Sequence, residues 1–180
     1  MWYSKTRGAL LASIREAGGL NRALQHMQQG PFTTMSGHTE AGSTPEERAR
    51  NNQRTQRLKE MLKQHGYGYI PTVGGWRGDN TGGQHVRERS FLIPGMKEED
   101  ADKFGEALDQ EAVLIGEGGG YRVKPIKERG EDWAKGQVNQ DFHTVREGED
   151  PDYFTEVGKR KFVFQPKPAT LGEEAPRYAP

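Results

Sequence analysis

The apolar positions of this chain fall into short periodic runs separated by long polar stretches. Residues 8–29 read as one helix interrupted at Gly18-Gly19, or as two short ones. Leu10, Leu11 and Ile14 form one apolar patch, and Leu20, Leu24 and Met27 form another at i, i+4, i+7. Pro31 ends this arm. Phe32-Thr-Thr-Met35 follows as a short strand and leads through Ser36 into a polar loop. The next helix is the best-marked element: Thr44 can cap it, Pro45 suits its first position, and Glu47 completes a Thr-x-x-Glu capping box. Gly66 stops it. Its inward stripe, at about 100° per residue, is Asn51, Thr55, Leu58 and Leu62. The polar half of that stripe needs partners, either a ligand or the loop from Ser36 to Glu40.

Two alternating segments come next, Tyr67–Val73 and Val86–Ile93, readable as the strands of a hairpin. The glycine-rich link between them is long for a hairpin, and long links are often functional. Residues 97–109 form a second amphipathic helix with Ala101, Phe104, Ala107 and Leu108 inward. Ala112–Ile115 is a buried-type strand, turned by Glu117-Gly-Gly-Gly120 into Tyr121–Lys124. The order is strand, helix, strand, strand, helix, strand. The predicted fold class is therefore α+β, with a β-α-β-β-α-β ferredoxin-like core, both helices lying on one face of an antiparallel sheet. The expected organisation is an N-terminal helical arm at 1–30, a core domain at 31–125, and a polar, partly extended C-terminal arm at 126–180. In that last arm only Lys161–Gln165 suggests a strand, added at a sheet edge.

Composition supports a small core between polar arms. Of 180 residues only 32% are hydrophobic, and the mean hydropathy is −0.97, too little for a core along the whole length. Lys+Arg and Asp+Glu are 26 each, so no global field attracts nucleic acid or an anionic membrane. The absence of cysteine excludes disulfides, thiol nucleophiles and cysteine-based zinc sites. No apolar run approaches the roughly 18 residues of a membrane helix, which leads us to expect a soluble, cytoplasmic protein with no membrane partner.

Candidate chemistry follows from strand alternation. In Val86–Ile93, Phe91 and Ile93 should face the helices, placing Glu88 and Ser90 on the open face of the sheet. Gln110 starts the next strand nearby, and Trp76 offers a stacking surface. With Ser36 and Asn51, these residues are the candidate ligand-binding set for a small polar molecule; the competing reading is a solvated sheet face.

The stretch Asn51 to Leu114 resembles a group of small uncharacterised proteins, a domain of unknown function found in bacteria and their phages. The features that carry the resemblance are Asn51, Asn52, Leu58 and Leu62 on the helix, Gly74-Gly75-Trp76, the strand Glu88-Arg89-Ser90-Phe91, and Asp109-Gln110-Glu111-Ala112-Val113. The resemblance implies an architecture and a candidate site, and no reaction. A second, local likeness is Gly82-Gly83-Gln84-His85-Val86, which looks like the Gly-Gly-Gln segment of peptide-chain release factors and related peptidyl-tRNA hydrolases. There the glutamine helps organise attack of water on an ester, which would make Gln84 the catalytic residue. The Ser-Gly-Ala that precedes the motif in that family is Asp79-Asn80-Thr81 here.

Other patterns carry less. Arg50, Arg54 and Arg57 form a basic stripe suited to phosphate or nucleic acid, but Glu46, Glu47 and Glu60 on the same helix favour a solvated face. Gly116–Gly120 runs into a strand and not a helix, so it lacks a phosphate-holding N-terminus. His38 with Glu40 is the one local pair resembling metal ligands, and no recognised metal spacing exists; no cofactor or metal is expected. The sequence thus leads us to expect an accessory protein, phage or bacterial, that acts by binding in a larger assembly such as a virion. Its partners would be other protein chains held by the two arms, in the cytoplasm or in the virion. The alternatives are ester hydrolysis through Gln84, or a small polar-ligand enzyme built on Glu88, Ser90 and Gln110.

Overall fold

Helix α1, Pro45–Gln64, begins as its sequence dictates: the Thr44 hydroxyl accepts from the Glu47 amide, and the Glu47 carboxylate accepts from the Thr44 amide. Both reciprocal bonds satisfy backbone donors that a helix start leaves open. At the other end Gly66 sits at φ 74°, where a side chain would be strained. The computed structural model describes residues 22–23, 25–39, 41–77, 82–117, 120–128, 140–145, 148–151 and 153–166. Within them the elements run β1 (Phe32–Ser36), α1, β2 (Ile70–Trp76), β3 (Val86–Pro94), α2 (Glu98–Ala107), β4 (Ala112–Glu117), β5 (Gly120–Pro125), β6 (Gln140–Thr144), β7 (Tyr153–Val157) and β8 (Arg160–Pro166). The fold class is α+β, as read from the sequence.

The four strands anticipated from the pattern lie side by side as β4-β1-β3-β2, each pair antiparallel. The sheet does not stop there. Strand β7 pairs with β2, β8 with β7, β6 with β8, and β5 joins β4 to β6 through Tyr121 and Gln140, closing an eight-stranded antiparallel barrel. This differs from the expectation in three ways. The sheet face carrying Glu88 and Ser90 is not open; it is the barrel interior. The strand expected at 161–165 is not at an edge; β8 lies between β7 and β6. The sheet does not end at residue 125, because three strands beyond it complete the ring. Among the described residues every strand of the ring has a neighbour on both sides, the β5–β6 seam through the single pair Tyr121 and Gln140.

Two apolar clusters follow from the alternation. On the outer face Met35, Phe91, Ile93, Val113 and Ile115 meet Leu58 and Leu62 of α1 and Ala101 and Phe104 of α2, with Met96 and Leu108. Each large side chain buried there contributes about 1.5–3 kcal/mol. Inside the barrel, at one end, Phe32, Ile70, Leu92, Tyr121, Val157 and Phe162 pack together. Ala23 and Met27, from a helical stretch that includes 25–29, join this inner cluster and are fully buried. Gly116 makes room for Phe32 there, since a Cβ at Gly116 would lie 1.9 Å from that ring. The patches expected at Leu10–Ile14, Leu20 and Leu24, together with residues 129–139 and 167–180 of the expected C-terminal arm, lie outside the described residues. Among the described residues no helix is long and apolar enough to cross a membrane.

Candidate functional site

The interior changes character along the barrel axis, and the strand register shows how. At the closed end the layer is apolar: Phe32, Ile70 and Leu92, with Leu92 opposite both Thr34 and Ile70. Next comes a hydroxyl layer, in which Ser90 stands between Ser36 on β1 and Thr72 on β2. The Thr72 and Ser90 hydroxyls are 2.8 Å apart. Above it Glu88 on β3 faces Gly74 on β2, which in turn faces Thr155 on β7. The outermost layer is Val86, Trp76 and Tyr153, with Trp76 directly across from Tyr153. Period-two alternation puts all of these side chains on the inner face.

These layers enclose a cavity of about 330 Å³ whose lining includes Ser36, Trp76, Glu88, Ser90, Gln110 and Tyr153. That volume is at the small end of ordinary ligand sites. Thr34, Ala112, Leu114, Val123 and Thr155 complete much of the remaining wall. The pair Gly74-Gly75 shapes two sides of β2 at once. A Cβ at Gly74 would come within 3.1 Å of the Glu88 side chain inside, and one at Gly75 would fall 2.1 Å from the Phe154 ring outside. Glycine at these positions therefore leaves room for the carboxyl within and seats an aromatic ring on the outer face.

Glu88 is the charged group of the cavity. Part of its side chain is open to the cavity space, yet its carboxyl is enclosed by protein. Burial pushes its pKa from the usual 4.5 up to about 7, with the Ser36 hydroxyl pulling the other way. No Lys, Arg or His lines the cavity among the described residues. Neighbouring Arg89 alternates to the outside and is exposed. Ser36 is held in place twice over, its hydroxyl donating to the Arg89 carbonyl at 2.9 Å and accepting from the His38 amide at 2.9 Å. Gln110 donates from Nε2 to the His38 carbonyl at 3.1 Å, tying the start of β4 to the loop after β1. A positive φ of 62° at Asp109 turns the chain from α2 into that position.

Five of the six residues singled out from the sequence thus line one cavity: Ser36, Trp76, Glu88, Ser90 and Gln110. Asn51 does not. It is buried in α1, and its Oδ1 accepts from the Thr39 amide at 3.3 Å. Thr55 beneath it donates to the Asn51 carbonyl at 2.8 Å. The polar half of the helix stripe is therefore met by the loop after β1 and by the helix itself. Gly37 in that loop lies so close to α1 that a Cβ would be 2.5 Å from the Thr55 nitrogen.

The remaining candidates lie elsewhere. Gln84 is exposed in the link between β2 and β3 and does not line the cavity, while the His85 ring bonds the Pro151 carbonyl at 2.8 Å. Arg50 and Arg57 are exposed on α1 and Arg54 is half-buried. Glu40, the supposed metal partner of His38, lies outside the described residues. His38 itself has its pKa lowered by burial and then by Arg89. Sequence reasoning missed Thr34, Thr72, Val123, Tyr153 and Thr155. The alternation Tyr153, Thr155, Val157 was the available signal for β7, and its polar surroundings hid it.

Comparison with known proteins places most of this site in one segment. Residues 42–113 match DUF3293, a family of proteins of unknown function. The DUF3293 segment takes in α1, β2, β3, α2 and the first residues of β4, and with them Asn51, Trp76, Glu88, Ser90 and Gln110. Ser36 and the strands β5–β8 fall outside it. The likeness to an uncharacterised family expected from the sequence is thereby found. No curated protein matches the chain.

Proposed function

We propose that this protein acts by binding, and that what it binds is a small molecule held inside the mouth of the barrel. The observation that carries this reading is the enclosed Glu88 carboxyl, which faces a cavity with hydroxyl groups on one side and the Trp76–Tyr153 pair on the other. A buried carboxyl with no charged partner among the described lining residues costs free energy, and a ligand in the cavity would offset that cost. No nucleophile–base pair stands beside the carboxyl among the lining residues, so binding is favoured over turnover. On this reading β1–β4 with the two helices are a ferredoxin-like unit whose four-stranded sheet has been extended by β5–β8 into a ring.

The expected role in a phage or bacterial assembly relies on two arms gripping other chains; much of the C-terminal arm instead forms β6–β8 of the barrel, and residues 1–21, 129–139 and 167–180 lie outside the described residues. Ester hydrolysis through Gln84 has no supporting geometry beyond the two glycines at positive φ before it. The test of the binding reading is a fragment panel followed by ligand-observed NMR on the wild type and on Val123→Phe, which fills the cavity from β5. Fragments that bind the wild type and are lost in Val123→Phe are the expected result. A panel with no such fragment would overturn it.

A further inference from the structure

The cavity has one sign of charge and one kind of rim, and together they select a ligand. Among its described lining residues Glu88 is the only carboxylate, Tyr153 is the only other titratable one, and none is basic. The Ser36 hydroxyl beside Glu88 favours the ionised carboxyl, while its own proton is directed at the Arg89 carbonyl. One layer outward, Trp76 and Tyr153 are cross-strand partners on the inner face, where side chains sit within direct contact range. Gly74, between Glu88 and Thr155, keeps the approach from the aromatic layer to the carboxyl clear.

We propose that the barrel mouth takes a small organic cation, a protonated amine on an apolar or aromatic body, with its ammonium on Glu88 and its body against Trp76 and Tyr153. This rests on the cavity being a binding site at all. The carboxylate supplies a charge-assisted acceptor away from bulk water, and the two ring faces attract a cation passing between or beside them. The hydroxyls of Ser36 and Ser90 lie one layer deeper and give the ammonium further acceptors. A carboxylate ligand meets the opposite situation, since it would stand beside Glu88 with no cation among the described lining residues to offset the repulsion.

The experiment uses three probes of one shape on the full chain at about pH 8: benzylamine, benzyl alcohol and benzoate, titrated calorimetrically into wild type and Glu88→Gln. Benzylamine should bind the wild type at least about tenfold more tightly than benzyl alcohol, with benzoate weakest. Glu88→Gln should erase the preference for benzylamine over benzyl alcohol. If benzyl alcohol binds as well as benzylamine in both proteins, the cation inference fails and the binding cavity stands. If none of the three binds while other fragments still bind the wild type and are lost in Val123→Phe, the cation inference likewise fails alone. If nothing occupies the cavity in either experiment, both readings fail.

Discussion

Replacing Glu88 by glutamine keeps the shape of the side chain and removes its ionisation, which isolates the energetic consequence of placing a carboxyl in the barrel. The folded-state pKa is about 7 against an ordinary 4.5, with burial as the principal cause. Between those values the folded protein keeps a proton that the unfolded chain has released. Folding is therefore unpenalised below about pH 4.5, loses stability as pH rises, and carries the full penalty above about pH 7. At about 1.4 kcal/mol per pH unit the difference reaches ~3 kcal/mol, an upper figure because part of the side chain still meets the cavity space. Glu88→Gln should match the wild type near pH 4 and exceed it by ~1–3 kcal/mol at pH 8. For a chain of this size that corresponds to roughly 3–10 °C in Tm. The assay is urea unfolding of both proteins across the pH range, followed by fluorescence and circular dichroism. A constant offset between the two curves, or a wild type that is the more stable at pH 8, would refute the reasoning.

Three further outcomes follow from packing and local structure. Gly75→Ala drives a methyl group into the Phe154 ring and should cost about 1–3 kcal/mol; Phe154→Leu in the same chain should recover part of that loss, and strict additivity in denaturant unfolding would contradict the contact. Thr44→Ala removes one half of the capping box and should cost about 1 kcal/mol, with Glu47→Ala adding little on top because the two bonds act as a unit; equal, additive losses would argue against it. A chain ending at Pro125 lacks β6–β8 and leaves β2 and β5 without their outer partners, so it should show no cooperative thermal transition; a sharp transition like that of the full chain would show that the first five strands stand alone.

The parts of the fold legible in the sequence are those fixed by local rules. Thr44, Pro45 and Glu47 announce a helix start, and the stripe Asn51, Thr55, Leu58 and Leu62 is the buried face that the structure has. Phe91 and Ile93 alternate toward the helices as the pattern requires. The barrel was not legible, because its closure depends on pairings between segments far apart in sequence, such as Trp76 with Tyr153. Strand β7 also conceals itself. Its outward residue Phe154 is buried against Gly75 while its inward Tyr153 is largely exposed at the rim, so hydrophobicity does not mark the inner face.

The candidate site was legible in its residues and not in its setting. Glu88 and Ser90 are polar alternating positions, and a polar strand face is usually one turned to solvent. A cavity lined by hydroxyl groups and one carboxyl produces the same pattern, and no local property of β3 separates the two cases. The distinction lies in what covers the face, here β5 and β7. Asn51 shows the converse: an inward polar residue that looks like a ligand contact is occupied by the Thr39 amide of a nearby loop.

The most direct test of the enclosed carboxyl at the heart of this account is the titration of Glu88 itself, followed by the 13C shift of its carboxyl carbon with and without benzylamine. Glu88 is the one carboxyl among the described residues around the cavity, so its carboxyl carbon reports on this site directly. The expected result is a midpoint near 7 in the free protein, moved to lower pH when benzylamine is present, because a cation in the cavity favours the ionised form. A midpoint near 4.5, unchanged by benzylamine, would mean that Glu88 faces solvent and that the barrel mouth is not the binding site.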